Sequence, residues 1–504
     1  MRKKNLYMWA LVASICAAPV FTACDDDDDD TDTTPEYNWS EDGGLKACDN
    51  ILFNDNEIGN GDQEFVFKGT QTLAKGTYLL KGWVYIADGS TLTIEPGTII
   101  KGDKQTKAAL IVERGGKLIA QGTATEPIVF TSEEGAGSRK PGDWGGVILC
   151  GKAKNNQTEM QIEGGPRTKH GGDDDADNSG VVSYVRIEFA GYPFAADKEI
   201  NGLTMGSVGS ATKIDHVQVS YCNDDSYEWF GGIVNCDHLV AFRGWDDEFD
   251  TDNGFSGRVQ YCLSVRDPRL ADTSRSNGFE SDNCADGATV EPYTTATFSN
   301  VTFIGPIGQD ANFVNDETYI NGGSVYPNNG SALGKFQAAM HIRRSSRLSC
   351  FNSLAIGWPI GLILDSEKGN TQAQATAGTL KLQNLWFADM TLLGADCNKA
   401  TQDALYDYTT KTYDESKVSF SHEFFLAQSG NKQVESSSLN LTMPESKVGV
   451  NYMPATGSAL LSAADFSDAL LSTGFDKVSY IGAFAAGDTW LDGWTEFDPQ
   501  NAAY

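Results

Sequence analysis

Basic residues are scarce in this sequence: 38 Lys and Arg stand against 69 Asp and Glu in 504 residues, a formal charge of −31. Recognition of nucleic acid needs basic patches that neutralise phosphates. The deficit therefore excludes a nucleic-acid partner and predicts attraction to cations and repulsion from anionic lipid headgroups. Histidine is scarcer still, at five residues, and no CxxC pair or zinc-type His/Cys spacing occurs. No GxSxG, P-loop, HExxH or GxGxxG context is present. Between Leu45 and about Asp389 no segment of useful length has a helical hydrophobic period. What is abundant is glycine, 53 residues, set among short apolar runs, which reads as an ordered, turn-rich β protein.

The N-terminus is a targeting segment. Arg2, Lys3 and Lys4 precede an apolar stretch from Leu6 to about Val20, too short to span a bilayer comfortably and suited to a signal peptide, residues 1–23. It ends Val20-Phe21-Thr22-Ala23-Cys24, which resembles the lipobox of bacterial lipoproteins and implies that Cys24 becomes a lipid-modified N-terminus. Residues 24–44 form an acidic tether opened by six aspartates, Asp25 to Asp30, which repel one another and stay extended. An acidic run beside a lipidated Cys resembles the export signal of Bacteroidota lipoproteins. It implies a lipid anchor in the outer membrane with the protein facing the cell exterior. Eight cysteines remain (Cys48, Cys150, Cys222, Cys236, Cys262, Cys284, Cys350 and Cys397). Several lie in strand-like runs, so buried free thiols are expected in preference to a disulfide framework, although an exported location permits either.

From residue 45 to 389 short β runs alternate with Gly, Asn and Asp turns, among them 78–86, 90–94, 97–100, 109–112, 117–120 and 127–130. A series at Tyr184, His216, His238, Tyr261, Asn300, Asn352 and Asn384 is read as opening a strand after a turn, with clean intervals of 22 and 23 residues between His216, His238 and Tyr261. An interval of about 22 predicts an all-β, right-handed parallel β-helix. The leucine-rich repeat has a similar period, but its Leu/Asn frame is missing; a β-sandwich is the alternative. A second series is more specific. Asp224–Gly232 aligns with Asp246–Gly254 at an offset of 22, and Asn277–Asn283 follows at 30, the surplus falling in a loop at 267–276. Stacked coils then place Tyr227, Phe249 and Phe279 in one ladder and Asn253 and Asn283 in a turn ladder.

The motifs Thr91-Leu-Thr-Ile-Glu-Pro-Gly-Thr98, Pro141-Gly-Asp-Trp-Gly-Gly146, Tyr184-Val-Arg-Ile-Glu-Phe-Ala-Gly191, Asp224-Asp-Ser-Tyr-Glu-Trp-Phe-Gly231 and Gly244-Trp-Asp-Asp-Glu-Phe-Asp-Thr-Asp-Asn-Gly254 resemble a family of largely uncharacterised Bacteroidota surface lipoproteins. The resemblance covers nearly all of the chain after the leader. It implies an address and a β-helix of the pectin-lyase-like kind, and brings no catalytic residues to transfer.

Alternate residues of a strand share a face. If Phe249 points into the coil, Asp250 and Asp252 point out, and the same phase puts Glu228, Glu280 and Asp282 beside them. Like charges opposed across strands are destabilising, so the patch calls for compensation, and three readings stand. One is a divalent cation, Ca²⁺, held by Glu228, Asp250, Asp252, Glu280 and Asp282 with Asn253 and Asn283 completing an all-oxygen shell. Another is catalysis by a polysaccharide lyase or glycoside hydrolase using Asp250, Asp252 and Glu280, with Arg243 and Arg266 as lyase base or sugar-acid clamp. The third is a solvated face neutralised by Arg243, Arg258 and Arg266 without a ligand. His216 and His238, each preceded by Asp, are placed to share a metal or to sit as hydrogen-bonded turn residues. His170 falls in a Gly-rich stretch read as a flexible insertion.

Loops at 131–143, 163–180, 267–276, 286–298 and 307–336 break the period, and binding commonly resides in such loops. Residues 390–504 are expected to form a mixed C-terminal cap with helices at 398–409 and 462–471, and with Trp490, Trp494 and Phe497 as capping core or sugar platform. The sequence thus predicts an anchored surface β-helix that presents an acidic face to an extracellular ligand: a glycan, or a host or cell-surface protein. The alternatives are the enzyme on the same ladder and a structural or adhesive protein.

Overall fold

Short runs that are apolar at alternate positions bury that face only if the chain returns to lay it against itself, and the Gly, Asn and Asp residues between them supply the turns. The computed structural model describes residues 37–157, 160–195, 198–443 and 451–504, and in it the chain winds into a parallel β-helix. One face is a thirteen-stranded sheet running from Trp39–Asp42 to Leu392–Ala395; another is a sixteen-stranded sheet whose main path runs from Leu52–Phe53 to Lys432–Val434. Successive coils pair in parallel. The exceptions at the start are antiparallel: Trp39–Asp42 on Leu45–Cys48, and Leu52–Phe53 on Glu57–Ile58. These reversed strands cover an edge whose N–H and C=O groups would otherwise pair with another chain. The expected signal peptide, Cys24 and the aspartate run lie outside the described residues. No helix among the described residues is long and apolar enough to cross a membrane.

The residues expected to open strands do something else. Tyr184, His216, His238, Tyr261, Asn300, Asn352 and Asn384 sit inside strands with φ between 50° and 60°. The pairing gives the reason. Gln121 lies beside Ser183 and Ile128 beside Val185, so Tyr184 alone spans the place of the turn at 122–127 in the preceding coil. One left-handed residue bends the chain without ending the sheet, and Asn and His tolerate that conformation better than β-branched residues do. In the later coils the bend is tied by amides: Asn384 Nδ2 donates to Asn352 Oδ1 at 2.7 Å, and Gln260 Nε2 to Asn300 Oδ1 at 3.0 Å. In the earlier coils it is a stack of rings, with centroids 4.2 Å apart from Tyr184 to His216, 4.3 Å from His216 to His238 and 4.8 Å from His238 to Tyr261.

The region 390–504 splits into two parts. Leu392–Ala395 continues one sheet, and the helix Phe420–Ala427 packs on that strand and on Ile360–Leu364. The segment from 463 onward instead runs back along the side of the β-helix over the bend. Ala463 and Asp465 meet Asn384 and Asn352; Asp476 meets Gln260; Tyr480 and Gly482 meet Asn300; Glu496 meets Gln218; Tyr504 reaches Glu188. Trp490 and Trp494 set their edges against His238 and His216. Trp494 is fully buried, and Trp490 and Phe497 pack half-buried against the same core. The helices expected at 398–409 and 462–471 are absent. Leu405–Asp407 pairs with Thr412–Asp414, and Asp407 Oδ1 accepts the N–H groups of Thr409 and Thr410. Such Asp turns compete with the helix. Residues 459–462 and 469–471 form short 3₁₀ turns. The eight cysteines among the described residues are free and buried.

Candidate functional site

Tyr227, Phe249 and Phe279 stand in register on Tyr227–Gly232, Phe249–Asp252 and Phe279–Ser281, fully buried, with Tyr227 and Phe249 stacked at 5.5 Å. Alternation then turns the next residues outward: Glu228 pairs with Asp250, and Asp250 with Glu280. The offsets of 22 and 30 read from the sequence are the register of the sheet.

This outer face is walled rather than open. Segments around Asn156 and Gln157, Met160 and Glu163, Pro193, Asp272–Ser274, Cys284–Val290 and Asn329–Ala332 rise on its sides and border a groove of about 1290 Å³. The loops 267–276, 286–298 and 307–336 thus contribute walls. The groove is lined by carboxylates from several coils, among them Asp224, Asp225, Glu228, Asp246, Asp247, Asp250, Asp252, Glu280 and Asp282.

A second ladder runs up the turns that enter these strands. Asn201 Oδ1 accepts the N–H of Asp225 at 3.2 Å, Asp225 Oδ1 that of Asp247 at 2.8 Å, Asp247 Oδ1 that of Asn277, and Asn277 Oδ1 that of Ala338 at 3.1 Å. Asp225 and Asp247 were overlooked as site residues. The signal was present, since Asp224-Asp225 and Asp246-Asp247 begin the two segments aligned at 22.

The expected cations are elsewhere. Arg266 is fully buried and donates to Glu248 Oε1 at 2.6 Å and to the carbonyl oxygens of Asp246 and Trp245. Arg243 follows the strand Cys236–Phe242 of the sixteen-stranded sheet and donates to Tyr221 Oη at 2.7 Å. Arg258 opens another strand of that sheet. None of the three lines the groove, so none is placed there as base or clamp; Arg266 reaches it only from behind, through the Asp246 carbonyl oxygen and its charge beside Asp247. Among the described residues its cations are Arg343 and Arg344: Arg343 pairs with Glu280 and, at 2.8 Å, with Asp282, and Arg344 with Asp282 at 2.5 Å. Fully buried His341 lies in register with Glu280 and 3.7 Å from it, and 3.6 Å from Asp365.

The remaining candidates separate. Asn283 is committed to structure: its amide donates to the carbonyl oxygens of Ala288 and Val290, and its Oδ1 accepts the N–H of Thr294. Asn253 lines the groove in a left-handed conformation, its N–H on Asp252 Oδ1 at 2.5 Å. His216 and His238 stack with their planes 7° apart, each with Nδ1 on the Asp before it. Ligand atoms of His216, His238 and Asp237, one from each, lie within 4.8 Å of one another, so the stacked pair and the Asp beside it could hold a metal ion. His170 is no flexible insertion: it is fully buried, with Nδ1 2.8 Å from Ser207 Oγ, and burial lowers its pKa to about 3.

The electrostatics follow from crowding. Burial first, and then neighbouring carboxylates, push Asp224, Asp225, Glu228, Asp246, Asp247 and Asp250 well above the usual carboxylate range. Asp252 is pushed up to about 8 by burial and by Asp282. Two unit charges about 4 Å apart repel by about 4 kcal/mol at an effective dielectric of 20, so the groove holds either shared protons or bound cations. Ligand oxygens of Asp225, Glu228 and Asp250 lie within 4.8 Å of one another, a span that fits ligands on opposite sides of one Ca²⁺ at about 2.4 Å each. An oxygen-only set suits a hard cation. Asp250 Oδ1 is shut off from solvent and accepts no hydrogen bond.

Residues 66–424 match the family described as a pectate-lyase-like β-helix domain. No curated protein matches the chain. Among solved structures, the crystal structure of the Dettilon tailspike protein is similar at 12% identity with a TM-score of 0.24, over 66% of this chain and 61% of that one.

Proposed function

We propose that this chain, which belongs to the pectate-lyase-like β-helix domain family, is a lipid-anchored surface protein whose acidic groove binds an extracellular glycan through Ca²⁺. The observation that carries the cation is the convergence of Asp225, Glu228 and Asp250 around an unpartnered, buried Asp250 oxygen. Ca²⁺ supplies positive charge that an uncompensated carboxylate wall lacks, and it keeps coordination positions for hydroxyl or carboxylate oxygens of a sugar. Glu280 and Asp282, already paired with Arg343 and Arg344, form the far wall. The anchor rests on Cys24 and the aspartates that follow it.

The test takes the purified chain, compares melting temperature in Ca²⁺ and in EDTA, and screens acidic and neutral polysaccharides for binding. A Ca²⁺ shift that disappears in Asp250→Ala/Asp252→Ala supports the reading; an identical absence of shift in both proteins sinks it. Glu228 and Asp250 in adjacent coils also suit the rival, a glycoside hydrolase acting through two close carboxylates. New reducing or unsaturated ends that vanish in the same variant decide for an enzyme.

A further inference from the structure

On the sixteen-stranded sheet, at residues that do not line the groove, we infer that His216, His238 and Asp237 bind one divalent metal ion of the Zn²⁺ type, which clamps two coils together beneath the C-terminal segment. One ligand atom from each of the three lies within 4.8 Å of the others. Two imidazole nitrogens with one carboxylate oxygen form a donor set that suits Zn²⁺ and its neighbours, where Ca²⁺ takes oxygens alone. The ligand therefore differs in kind from anything the groove holds.

The register builds the site. Asp215 lies beside Asp237 where Lys213–Ser220 pairs with Cys236–Phe242, so an Asp-His pair recurs on adjacent rungs and the two rings stack with centroids 4.3 Å apart. Both histidines hold the left-handed bend, with φ of 50° and 53°. Asn300, Asn352 and Asn384 hold the same bend in later coils, so the backbone there does not require histidine. What histidine adds is a ring nitrogen that binds metal. A tilt of the two rings toward each other closes their separation to about 3.3 Å, the span between two nitrogens on one tetrahedral ion.

The two aspartates differ, and the difference assigns their roles. Asp215 is buried and committed: Oδ1 accepts from Ser183 Oγ at 2.6 Å and meets His216 Nδ1 at 2.9 Å, and Oδ2 pairs with Lys213 Nζ at 2.9 Å. It is a positioning residue, the carboxylate that orients a metal-binding ring. Asp237 is half exposed, with one oxygen on His238 Nδ1 at 2.5 Å and the other accepting no hydrogen bond among the described residues. Its carboxylate is free to turn onto an ion. Trp494 and Trp490 stand edge-on to His216 and His238 at 5.6 and 5.1 Å, yet both histidine side chains keep some exposure, which admits the ion and a water as fourth ligand.

The test titrates Zn²⁺ into the full chain by calorimetry, with and without a large excess of Ca²⁺. One Zn²⁺ per chain is expected in both conditions, bound at least tenfold more weakly in His216→Asn, in His238→Asn and in Asp237→Asn, and unchanged in Asp250→Asn. Because Asn serves at this bend in three coils, the histidine variants are expected to keep the fold, which an unchanged near-ultraviolet spectrum certifies; Asp237→Asn alters a half-exposed side chain and leaves the bend untouched. No bound Zn²⁺, or binding that survives all three variants, overturns the site. Zn²⁺ displaced by Ca²⁺ or lost in Asp250→Asn belongs to the groove and overturns it equally. Loss confined to the histidine variants overturns Asp237 as the third ligand.

Discussion

Asp250 stands in register between Glu228 on one neighbouring strand and Glu280 on the other, so three carboxylates occupy successive rungs of one ladder about 4.8 Å apart. Without a cation this arrangement stores repulsion. Asp250→Asn is expected to stabilise the metal-free protein by about 1–3 kcal/mol while weakening its response to Ca²⁺. Urea denaturation in EDTA and in Ca²⁺ measures both. A destabilised variant in EDTA would show that the carboxylate is already satisfied by the protein.

Stability in EDTA is expected to fall as pH rises from about 4 to about 8. Asp252 titrates near 8 in the fold and near 4 when unfolded, and its buried neighbours shift in the same direction. Between those values the native state holds protons that the unfolded chain has lost, so raising the pH favours unfolding. Asp215, drawn down by His216, Ser183 and Lys213 against its burial, acts oppositely and only below about pH 4. Saturating Ca²⁺ replaces the protons and flattens the slope. Melting temperatures at pH 5 and pH 8, each with and without Ca²⁺, check this, and equal slopes would reject it.

Asn352 combines a left-handed φ of 50° with hydrogen bonds to Asn384, Ser299 and both backbone groups of Asp465. Asn352→Val is expected to cost about 3–5 kcal/mol and to release the segment after residue 463 to protease. Asn352→Gly keeps the conformation and loses only the side-chain bonds, so a smaller loss is expected. Equal losses would show that backbone strain plays no part.

Arg266 and Glu248 form a fully buried pair. Arg266→Met is expected to destabilise by about 3–5 kcal/mol because it leaves Glu248 charged and unpaired, and Arg266→Met with Glu248→Leu to recover most of that. Denaturation midpoints of the two variants test it.

Much of the site was legible because a β-helix converts sequence offset into spatial register. The intervals of 22 and 30 placed Tyr227, Phe249 and Phe279 in one inward ladder and Glu228, Asp250 and Glu280 in one outward ladder, and the pairing is the same. The cations were not legible. Arg243 and Arg266 are 23 residues apart, but the one turns to Tyr221 and the other to Glu248, and Arg343 and Arg344 reach Asp282 from 61 and 62 residues away across a long loop. The bend residues were found as a series and misread as strand starts, because a single left-handed residue inside a strand leaves the same Asn and His signature as a turn.

The sequence by itself determined the β-helix, its coil period and the outward ladder of carboxylates, since these follow from alternation and repeat length, which are local. Only the tertiary structure decided that the ladder is walled into a groove, that Asp225 converges on Glu228 and Asp250, and that the C-terminal segment runs back along the bend. Those depend on where loops of unequal length fold relative to coils far away in the chain, and no period encodes that.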